Sequence, residues 1–352
     1  MNKTITINDK IIGYGQPCFV IAEAGVNHNG ELEKALALVD VAADCGADVV
    51  KFQTYRSEDV VIKKGKMAQY QQKNVGKVTS QLEMIRGFWL DEKFYPQILK
   101  RCKDKGIIFM STPHGGIKSV DFLETLNVPA YKIGSGDLTN YILLNRVAKT
   151  GKPIILSSGM STLDEVKAAV AYIYSKGSKQ IAVLHCTTNY PCPAEEVNLR
   201  AMVTMMNELD VSVGFSDHTD NATAAISAAA LGMTIYECHF TLDKNLPGPD
   251  HIASAQPDEL KERIRLIKDV EIILGKSEKK PNESELKNMR DLVRRSLVIT
   301  RDLPEGHILK KADLEAKRPG DGVSPTEYEK FLNKRLKKEV EKDYQITWND
   351  VY

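Results

Sequence analysis

The chain has 352 residues, of which 48 are Lys or Arg and 47 are Asp or Glu, so its formal net charge is +1. This balance creates no global field that would attract nucleic acid or a membrane surface, so an anionic ligand must be held by local charges. No apolar run approaches the roughly 20 residues of a membrane helix, and the first residues lack the apolar core of a signal peptide. We therefore expect a soluble, cytoplasmic protein without nucleic-acid or membrane partners.

The first two thirds of the chain predict a β-hairpin followed by a repeated strand and helix pattern. Residues 1–16 alternate polar and apolar side chains, as hairpin strands do. From residue 18 onward, short β-branched runs alternate with helical periodicity, which is typical of parallel strands joined by crossover helices. A row of eight such runs favours a closed (β/α)8 TIM barrel of about 250 residues over an open sheet. The runs lie at residues 19–25, 48–54, 107–113, 130–136, 153–159, 181–187, 211–217 and 234–240.

Two of the connecting helices carry clear local signals. The first predicted helix ends near Gly46, and its expected sheet-facing residues recur every three or four positions, at Leu32, Leu36, Val39 and Ala43. Thr162 and Glu165 have the spacing of a capping box, which predicts a helix start directly after the fifth barrel strand.

The rest of the chain predicts a second, smaller domain. Residues 276–285 are highly charged and contain a proline, as linkers do, so we place the boundary near 280 and expect domains at 1–280 and 281–352. The β-like run at 296–300 and the turn signals after it predict a compact β-rich module. One long insertion, residues 56–90, follows the second barrel strand and is a candidate lid on the catalytic face.

Each predicted barrel strand is apolar at first and polar at its C-terminal end. Because the C-terminal ends of barrel strands meet on the face where barrel enzymes build their active sites, this asymmetry locates the site. The polar residues at these ends include Glu23, Lys51, Gln53, Thr112, Lys132, Ser135, Ser157, Thr188, Ser216, Asp217, His218, Glu237 and His239.

Two histidines in this set are candidate metal ligands. His218 and His239 end adjacent predicted strands, so their imidazoles could converge on one ion at the barrel mouth. Alternatively, each ring hydrogen-bonds a loop carbonyl. The nearby Asp217, Glu237 and Asp250 favour the metal interpretation, and two nitrogen ligands with open positions suit an octahedral Mn²⁺ or Mg²⁺.

Glu23 ends the first barrel strand and is a candidate general base. Burial of a carboxylate at the barrel mouth raises its pKa toward that of a useful base. The alternative is a salt bridge with Lys51 on the neighbouring strand, and the two interpretations are compatible.

Lys51 and Lys132, together with Ser135, Ser157 and Ser216, predict a binding site for a phosphate or carboxylate. A barrel lysine is also a possible Schiff-base nucleophile, which belongs to a different reaction class and needs a lowered pKa. Two lysines in the company of serines favour anion binding, and the imine remains open.

A series of motifs runs through nearly the whole chain in order: IAEAGVNHNG, KFQTY, KIGSGD, LSSGM, HCTTNYPCP, GFSDHT, HFTLDKNLPGPDH and KRPGDG. Together they closely resemble the sialic acid synthase family, the nonulosonate synthases. The resemblance implies a (β/α)8 barrel followed by a small antifreeze-protein-like (SAF) domain. It also implies a domain-swapped homodimer in which each small domain covers the sugar at the partner's barrel mouth.

The resemblance further implies a carbon–carbon bond-forming transferase that condenses phosphoenolpyruvate with an N-acylated, mannosamine-type sugar, giving a nonulosonic acid and phosphate. The catalytic residues would be Glu23 as the base, Lys51 and Lys132, and the Mn²⁺ or Mg²⁺ ligands would be His218 and His239. Phosphoenolpyruvate would be bound by Lys51, Lys132, Ser135, Ser157, Thr188 and Ser216. The sugar would be bound by Gln53, Asp137, Tyr190, Asp250 and, from the partner subunit, Arg318.

The choice of sugar depends on departures from the family pattern. Synthases of N-acetylneuraminate tend to have Glu where this chain has Asp137, and Asn where it has Thr188 followed by Asn189. The combination resembles synthases that convert a diacetamido trideoxy-hexose into legionaminic acid. The alternatives are an N-acetylneuraminate synthase acting on N-acetylmannosamine, a Schiff-base pyruvate aldolase and a non-catalytic sugar-binding protein.

Overall fold

The structure, a computed structural model, describes residues 4–67, 72 and 80–352. The chain forms two compact units, Met1–Gly275 and Lys276–Tyr352. The functional domains expected at 1–280 and 281–352 remain a prediction, because compactness does not show which segments act together.

The first unit is a closed barrel, as the strand pattern predicts. Within the described residues, eight parallel strands form the closed barrel, in which each strand pairs with its neighbours in the chain and the last pairs with the first. The predicted run at 130–136 is shorter than expected as a strand, because Ser135–Asp137 forms a 3₁₀ turn. The barrel strands are β3 (Phe19–Gly25), β4 (Val49–Thr54), β5 (Ile108–Pro113), β6 (Tyr131–Ile133), β7 (Ile154–Ser157), β8 (Ile181–Cys186), β9 (Ser212–Asp217) and β10 (Ile235–His239).

Helices connect the strands around the outside of the barrel, and the described part of the predicted insertion includes two short helices. The insertion helices are α2 (Ser57–Val60) and α3 (Gln81–Arg86). The part of the candidate lid at 68–71 and 73–79 lies outside the described residues. The other helices of this unit are α1 (Leu32–Asp44), α4 (Tyr95–Lys105), α5 (Ile117–Thr125), α6 (Tyr141–Ala148), α7 (Leu163–Ser175), α8 (Leu199–Glu208), α9 (Thr223–Ala230) and α10 (Pro257–Leu274).

The local helix signals have different outcomes. The capping box is confirmed, since the Thr162 side chain accepts a hydrogen bond from the Glu165 amide at the start of α7. The predicted sheet-facing residues of α1 are partly wrong: Val39 is buried as expected, but the other buried residues are Ala35, Leu38 and Ala42. Leu32, Leu36 and Ala43 pack only at the margin of the core, because α1 is apolar over more than half its circumference and periodicity alone selects no single face.

The barrel interior is apolar towards the N-terminal ends of the strands and polar at their C-terminal ends. Because side chains two positions apart face the same side of a strand, Ile21 and Glu23 both point inward, as do Val49 and Lys51. The apolar layer is completed by the N-terminal hairpin, whose strands β1 (Ile5–Ile7) and β2 (Lys10–Ile12) pack apolar side chains against it. The polar side chains at the C-terminal ends of the strands therefore lie next to this apolar layer.

The second unit has its own small core. Strands β11 (Ser296–Ile299) and β12 (Leu314–Lys317) pair antiparallel, which confirms the predicted strand at 296–300. The unit also contains the short helices α11 (Glu283–Asn288), α12 (Arg290–Val293) and α13 (Tyr328–Phe331). The buried apolar residues that form this core are Leu297, Ile299, Leu303, Leu309, Phe331, Leu336, Val340, Ile346 and Val351. None of the helices in the described part of the chain is long and apolar enough to span a membrane.

A buried carboxylate braces the second unit and gives a stability prediction. Asp313 accepts hydrogen bonds from His307 Nε2 (2.8 Å), Arg301 (2.9 Å) and the Lys310 amide (2.9 Å). Burial alone would raise the pKa of Asp313, but these donors outweigh burial and lower it. Replacing Asp313 with Asn should destabilise the unit by about 1–3 kcal/mol, because charge-assisted hydrogen bonds are lost around a buried group.

Hydrogen exchange of the amides of residues 276–352 measures this effect. A lowered pKa means that the carboxylate contributes its stability above its unfolded pKa of about 4 and loses it as the pH falls further. The difference between wild type and Asp313→Asn should therefore be full at neutral pH and shrink below pH ~4. The exposed Glu329→Gln is the matched control, and an equal effect of both substitutions would contradict the role of Asp313.

Candidate active site

A cavity of about 350 Å³ opens at the C-terminal ends of the barrel strands, where the sequence predicts the site. It contains most of the predicted site residues. The predicted residues that line it are Glu23, Lys51, Gln53, Lys132, Ser135, Ser157, Thr188, Tyr190, Ser216, His218, His239 and Asp250.

The floor of the cavity is a buried network of alternating charges, formed by Glu23, Lys51, Glu237 and Lys132. Lys51 Nζ lies 2.5 Å from Glu23 Oε2 and 3.6 Å from Glu237 Oε2. Lys132 Nζ lies 3.3 Å from Glu237 Oε1. Each of these side chains is at most 6% exposed, so no bulk water screens the charges. The predicted salt bridge between Glu23 and Lys51 is therefore present, and Glu237 links the two lysines.

Hydroxyl groups complete the floor. Lys132 Nζ donates to Ser157 Oγ (2.6 Å), Lys51 Nζ donates to Thr112 Oγ1 (3.2 Å), and Ser216 Oγ donates to Glu237 Oε1 (2.9 Å). At the side of the floor, Ser135 Oγ accepts from the Gly159 amide (3.0 Å). A Cβ atom at Gly159 would lie only 2.2 Å from Thr188 Oγ1. A side chain at this position would therefore collide with the Thr188 hydroxyl, and glycine has none.

The network shifts the ionisation of its members in different directions. Burial raises the pKa of Glu23, and Lys51 opposes this shift without cancelling it. Burial would also raise the pKa of Glu237, but Lys132 and Lys51 outweigh it and hold the pKa at about 2. Burial lowers the pKa of Lys132. Glu237 is therefore the permanent anion of the floor, while Glu23 has the environment of a carboxylate that can take up a proton.

The two predicted metal ligands are neighbours at the cavity. The rings of His218 and His239 have centroids 5.7 Å apart, and the Tyr190 ring lies 4.1 Å from that of His218. His218 Nδ1 lies 2.7 Å from the Thr187 carbonyl, which can only accept, so Nδ1 carries the proton, and in the neutral ring Nε2 then has the lone pair. The predicted alternative, a hydrogen bond to a loop carbonyl, is thus realised by one nitrogen of His218 and leaves the other available.

His239 differs from His218 in its hydrogen bonding. Its Nδ1 is buried and finds no hydrogen-bond partner within residues 4–67, 72 and 80–352. A buried nitrogen without a partner is costly unless a ligand satisfies it, so the imidazole pair fits a metal with open positions. No cluster of three or more His, Cys, Asp or Glu side chains suited to a metal occurs among the described residues, so the pair would depend on other oxygen ligands.

A buried polar cluster supports the loop that carries His218. Asp217 Oδ2 accepts from Tyr236 OH (2.9 Å) and faces Arg263 at 3.5 Å, and its Oδ1 accepts from the Thr219 amide (2.9 Å). Arg263 also donates to the Thr219 carbonyl (2.9 Å) from helix α10. Asp217 and Thr219, which flank His218, are therefore held in place by hydrogen bonds with Tyr236 and Arg263.

The predicted sugar-binding residues separate into two groups. Gln53, Tyr190 and Asp250 line the cavity, and burial raises the pKa of Asp250 to about 6. Asp137 is absent from the described lining and instead accepts a hydrogen bond from Asn140 (2.9 Å). Arg318 belongs to the second unit, where its Nε donates to the Val293 carbonyl (3.1 Å). The roles of Asp137 and Arg318 remain predictions.

Several residues line the cavity for which the sequence predicts no bound ligand. The most important is Glu237, whose position two residues before His239 on the same strand signals that both point inward. Thr112 and His114 follow the same logic at the end of β5. The apolar lining residues carry no such signal, because apolar side chains ordinarily serve packing.

Two family models match this chain, one after the other along the sequence. Residues 38–279 match the sequence model of the NeuB family, and residues 294–351 match the model of the SAF domain.

Individual relatives span nearly the full chain. The N,N'-diacetyllegionaminic acid synthase of Campylobacter jejuni is 43% identical over 93% of this chain and 98% of its own length. The N,N'-diacetyllegionaminic acid synthase of Legionella pneumophila is 41% identical over 96% of both chains. Among solved structures, the N-acetylneuraminic acid (sialic acid) synthetase of Leptospira borgpetersenii, crystallised with citrate, is 31% identical, with a TM-score of 0.72 over 82% of this chain and 96% of that one.

Proposed function

The chain belongs to the NeuB family and is an enzyme that forms a carbon–carbon bond, and we propose that it condenses phosphoenolpyruvate with an N-acylated amino sugar. The products would be a nonulosonic acid and phosphate. The observation that carries this proposal is the combination, in one cavity, of two buried lysines, a carboxylate with a raised pKa and a pair of imidazoles.

The lysines and hydroxyls would bind phosphoenolpyruvate. Its phosphate and carboxylate need several donors in a place without bulk water, and Lys51, Lys132, Ser135, Ser157 and Ser216 offer them. The hydroxyl of Thr188, which lies next to Gly159 as the hydroxyl of Ser135 does, would be a further donor. Glu237 contacts both ammonium groups and favours their charged forms, which can stabilise the departing phosphate.

The imidazole pair of His218 and His239 would hold Mn²⁺ or Mg²⁺. When bound there, the metal supplies Lewis-acid polarisation of the aldehyde oxygen of the sugar. The protein's part is to hold the aldehyde carbon near carbon three of phosphoenolpyruvate, which attacks it as a carbon nucleophile. Gln53, Tyr190 and Asp250 line the same cavity and would orient the sugar for this attack.

Glu23 would act after the new bond begins to form. Positive charge develops at carbon two of phosphoenolpyruvate, and water adds there as its proton passes to Glu23. The tetrahedral product then expels phosphate and leaves an α-keto acid. The hydrogen bond from Gln53 Nε2 to Glu23 Oε1 (3.2 Å) and the Lys51 contact keep this carboxylate in place.

We propose a legionaminate-type product, made from a diacetamido trideoxy-hexose. Support comes from Asp137, Thr188 and Asn189 and from relatives above 40% identity that carry the name of diacetyllegionaminic acid synthases. N-acetylneuraminate made from N-acetylmannosamine is the alternative. Mass spectrometry of products from a panel of both sugars tests the choice, and faster turnover of N-acetylmannosamine would reverse it.

A Schiff-base pyruvate aldolase is the second candidate, because burial lowers the pKa of Lys132 as that chemistry requires. Lys132 is, however, paired with Glu237 and Ser157. We expect borohydride with pyruvate to leave no adduct on the protein, and a trapped adduct at Lys51 or Lys132 would favour the aldolase.

We also propose that the enzyme works in the cytoplasm as a domain-swapped homodimer in which Arg318 reaches the sugar of the partner subunit. Arg318 is exposed, and its guanidinium can donate to sugar hydroxyls or an N-acyl carbonyl. Mixing inactive Arg318→Ala and His218→Ala proteins should restore activity, because one site of each mixed dimer then has both residues. Failure of this recovery, with subunit exchange demonstrated by mass, would contradict the crossing.

A further inference from the structure

Two asparagines in the loop after β3 connect this loop to the loop after β10. Asn29 Nδ2 donates to the Pro247 carbonyl (2.9 Å), and Asn27 Nδ2 donates to Ser254 Oγ (2.9 Å). The two loops lie at the seam of the barrel, where the last strand, β10, pairs with the first, β3. Because Asp250 of the second loop lines the cavity, these hydrogen bonds lie beside the active site.

The hydrogen bonds of Asn29 determine the orientation of the groups around it. A carbonyl can only accept, so the amide nitrogen of Asn29 must face Pro247 and its amide oxygen faces His251. His251 Nε2 lies 3.1 Å from this oxygen and therefore carries a proton. Burial lowers the pKa of His251 to about 4, so the ring is neutral at neutral pH. Its Nδ1 then accepts from the Thr241 hydroxyl, which lies at 2.6 Å.

A second chain of hydrogen bonds holds the backbone of Asp250. Ser254 Oγ accepts from Asn27 Nδ2 and donates to the Asp250 carbonyl (2.7 Å). Asp250 is thus attached to the loop after β3 through its own carbonyl and also through the next residue, His251. Asn27 is fully buried and His251 is 1% exposed, so bulk water does not compete for these hydrogen bonds.

Gly248 allows the second loop to lie against the His251 ring. A Cβ atom at this position would lie 2.7 Å from His251 Cδ2 and 3.2 Å from Asn29 Oδ1. Any other residue would therefore push the ring away from Asn29, and glycine avoids this because it has no side chain.

We infer that Asn29, His251 and Thr241 form a clasp between the two loops that positions Asp250 for the sugar. These three residues are called the loop clasp below. Their role depends on the proposed function, in which Asp250 orients the sugar. None of the three is among the described residues that line the cavity, so they are positioning residues that act through Asp250.

Two variants that break the loop clasp should impair the use of the sugar and spare phosphoenolpyruvate. Asn29→Gly removes both side-chain hydrogen bonds and tolerates the left-handed backbone of this position (φ 51°). Thr241→Val removes the hydroxyl with little change in shape. Each should lower the kcat/KM for the sugar by about 5- to 20-fold, the factor expected for one or two lost hydrogen bonds. The KM for phosphoenolpyruvate should stay unchanged, whereas a general loss of stability would affect both substrates.

Steady-state kinetics of the full-length protein, with the diacetamido trideoxy-hexose and with N-acetylmannosamine, measure these effects. Thr241→Ser retains the hydroxyl and should keep the wild-type kcat/KM for the sugar. Asn127→Gly is the matched control for Asn29→Gly, because Asn127 is exposed after α5 and has the same φ of 51°. Since Asn29 and Thr241 both act through the His251 ring, the double variant should be little worse than the worse single variant.

The outcomes distinguish the loop clasp from the proposed function. An unchanged kcat/KM for the sugar in both Asn29→Gly and Thr241→Val would overturn the clasp, as would an equal impairment of both substrates or full additivity in the double variant. If the wild type consumes no sugar with phosphoenolpyruvate, the proposed function fails, and hydrogen exchange of the Leu246, Ala253 and Ser254 amides, which donate within the second loop, decides about the clasp. Faster exchange in Asn29→Gly than in Asn127→Gly would then support the clasp, and equal exchange would overturn it.

Discussion

Replacing Glu23 with Gln is expected to reduce the rate of phosphate release by about 10²- to 10⁴-fold, the usual contribution of a general base. Gln keeps the shape of the side chain and cannot take a proton from water. The floor should survive, because Lys51 retains Glu237 Oε2 at 3.6 Å and Thr112 at 3.2 Å. The affinity for phosphoenolpyruvate, measured by calorimetry, should therefore change far less than the rate.

The exposed Glu33 on α1 provides the matched control, since Glu33→Gln makes the same chemical change away from the cavity. It should retain the wild-type rate. A Glu23→Gln protein with near-normal turnover would remove Glu23 as the base. A loss confined to phosphoenolpyruvate binding would instead assign Glu23 to the support of Lys51.

Replacing Glu237 with Gln is expected to lower the free energy of unfolding by about 3–5 kcal/mol, the usual loss when a buried ion pair loses one partner. Glu237 contacts both Lys51 and Lys132, and its pKa of about 2 shows how strongly the two cations stabilise its charge. Without it, Lys132 is left buried without its carboxylate partner. Urea unfolding followed by circular dichroism measures the loss.

A second carboxylate shows what burial contributes. Glu208 pairs with Lys167 at 2.9 Å, but about half of its side chain is exposed, so Glu208→Gln should change stability by less than about 1 kcal/mol. Equal losses at both positions would mean that Glu237 has no special place in the barrel. A stable Glu237→Gln protein with normal phosphoenolpyruvate binding would contradict the network itself.

Much of the barrel could be predicted from the chain because its signals are periodic. The alternation of short β-branched runs with helices predicts eight barrel strands, and the run at 19–25 coincides with β3. The polar ends of the runs also predict where the cavity opens, because side chains two positions apart share a face. In β3, for example, Ile21 belongs to the apolar layer of the barrel interior and Glu23 lines the cavity.

The remaining features depend on contacts that periodicity does not encode. Glu237 follows the same strand rule as His239, but its link between two lysines requires the closure of the barrel, which places β10 beside β3 and β9. The buried face of α1 could not be predicted, because apolar residues surround most of that helix.

The proposed reaction is a metal-dependent condensation of phosphoenolpyruvate with an N-acylated amino sugar. Its most direct test is phosphate release from the purified protein after exhaustive chelation and after the return of Mn²⁺ or Mg²⁺. We expect release only when phosphoenolpyruvate, the sugar and the metal are all present, with one nonulosonic acid formed for each phosphate. Release that continues undiminished after chelation, or that does not require the sugar, would contradict the account.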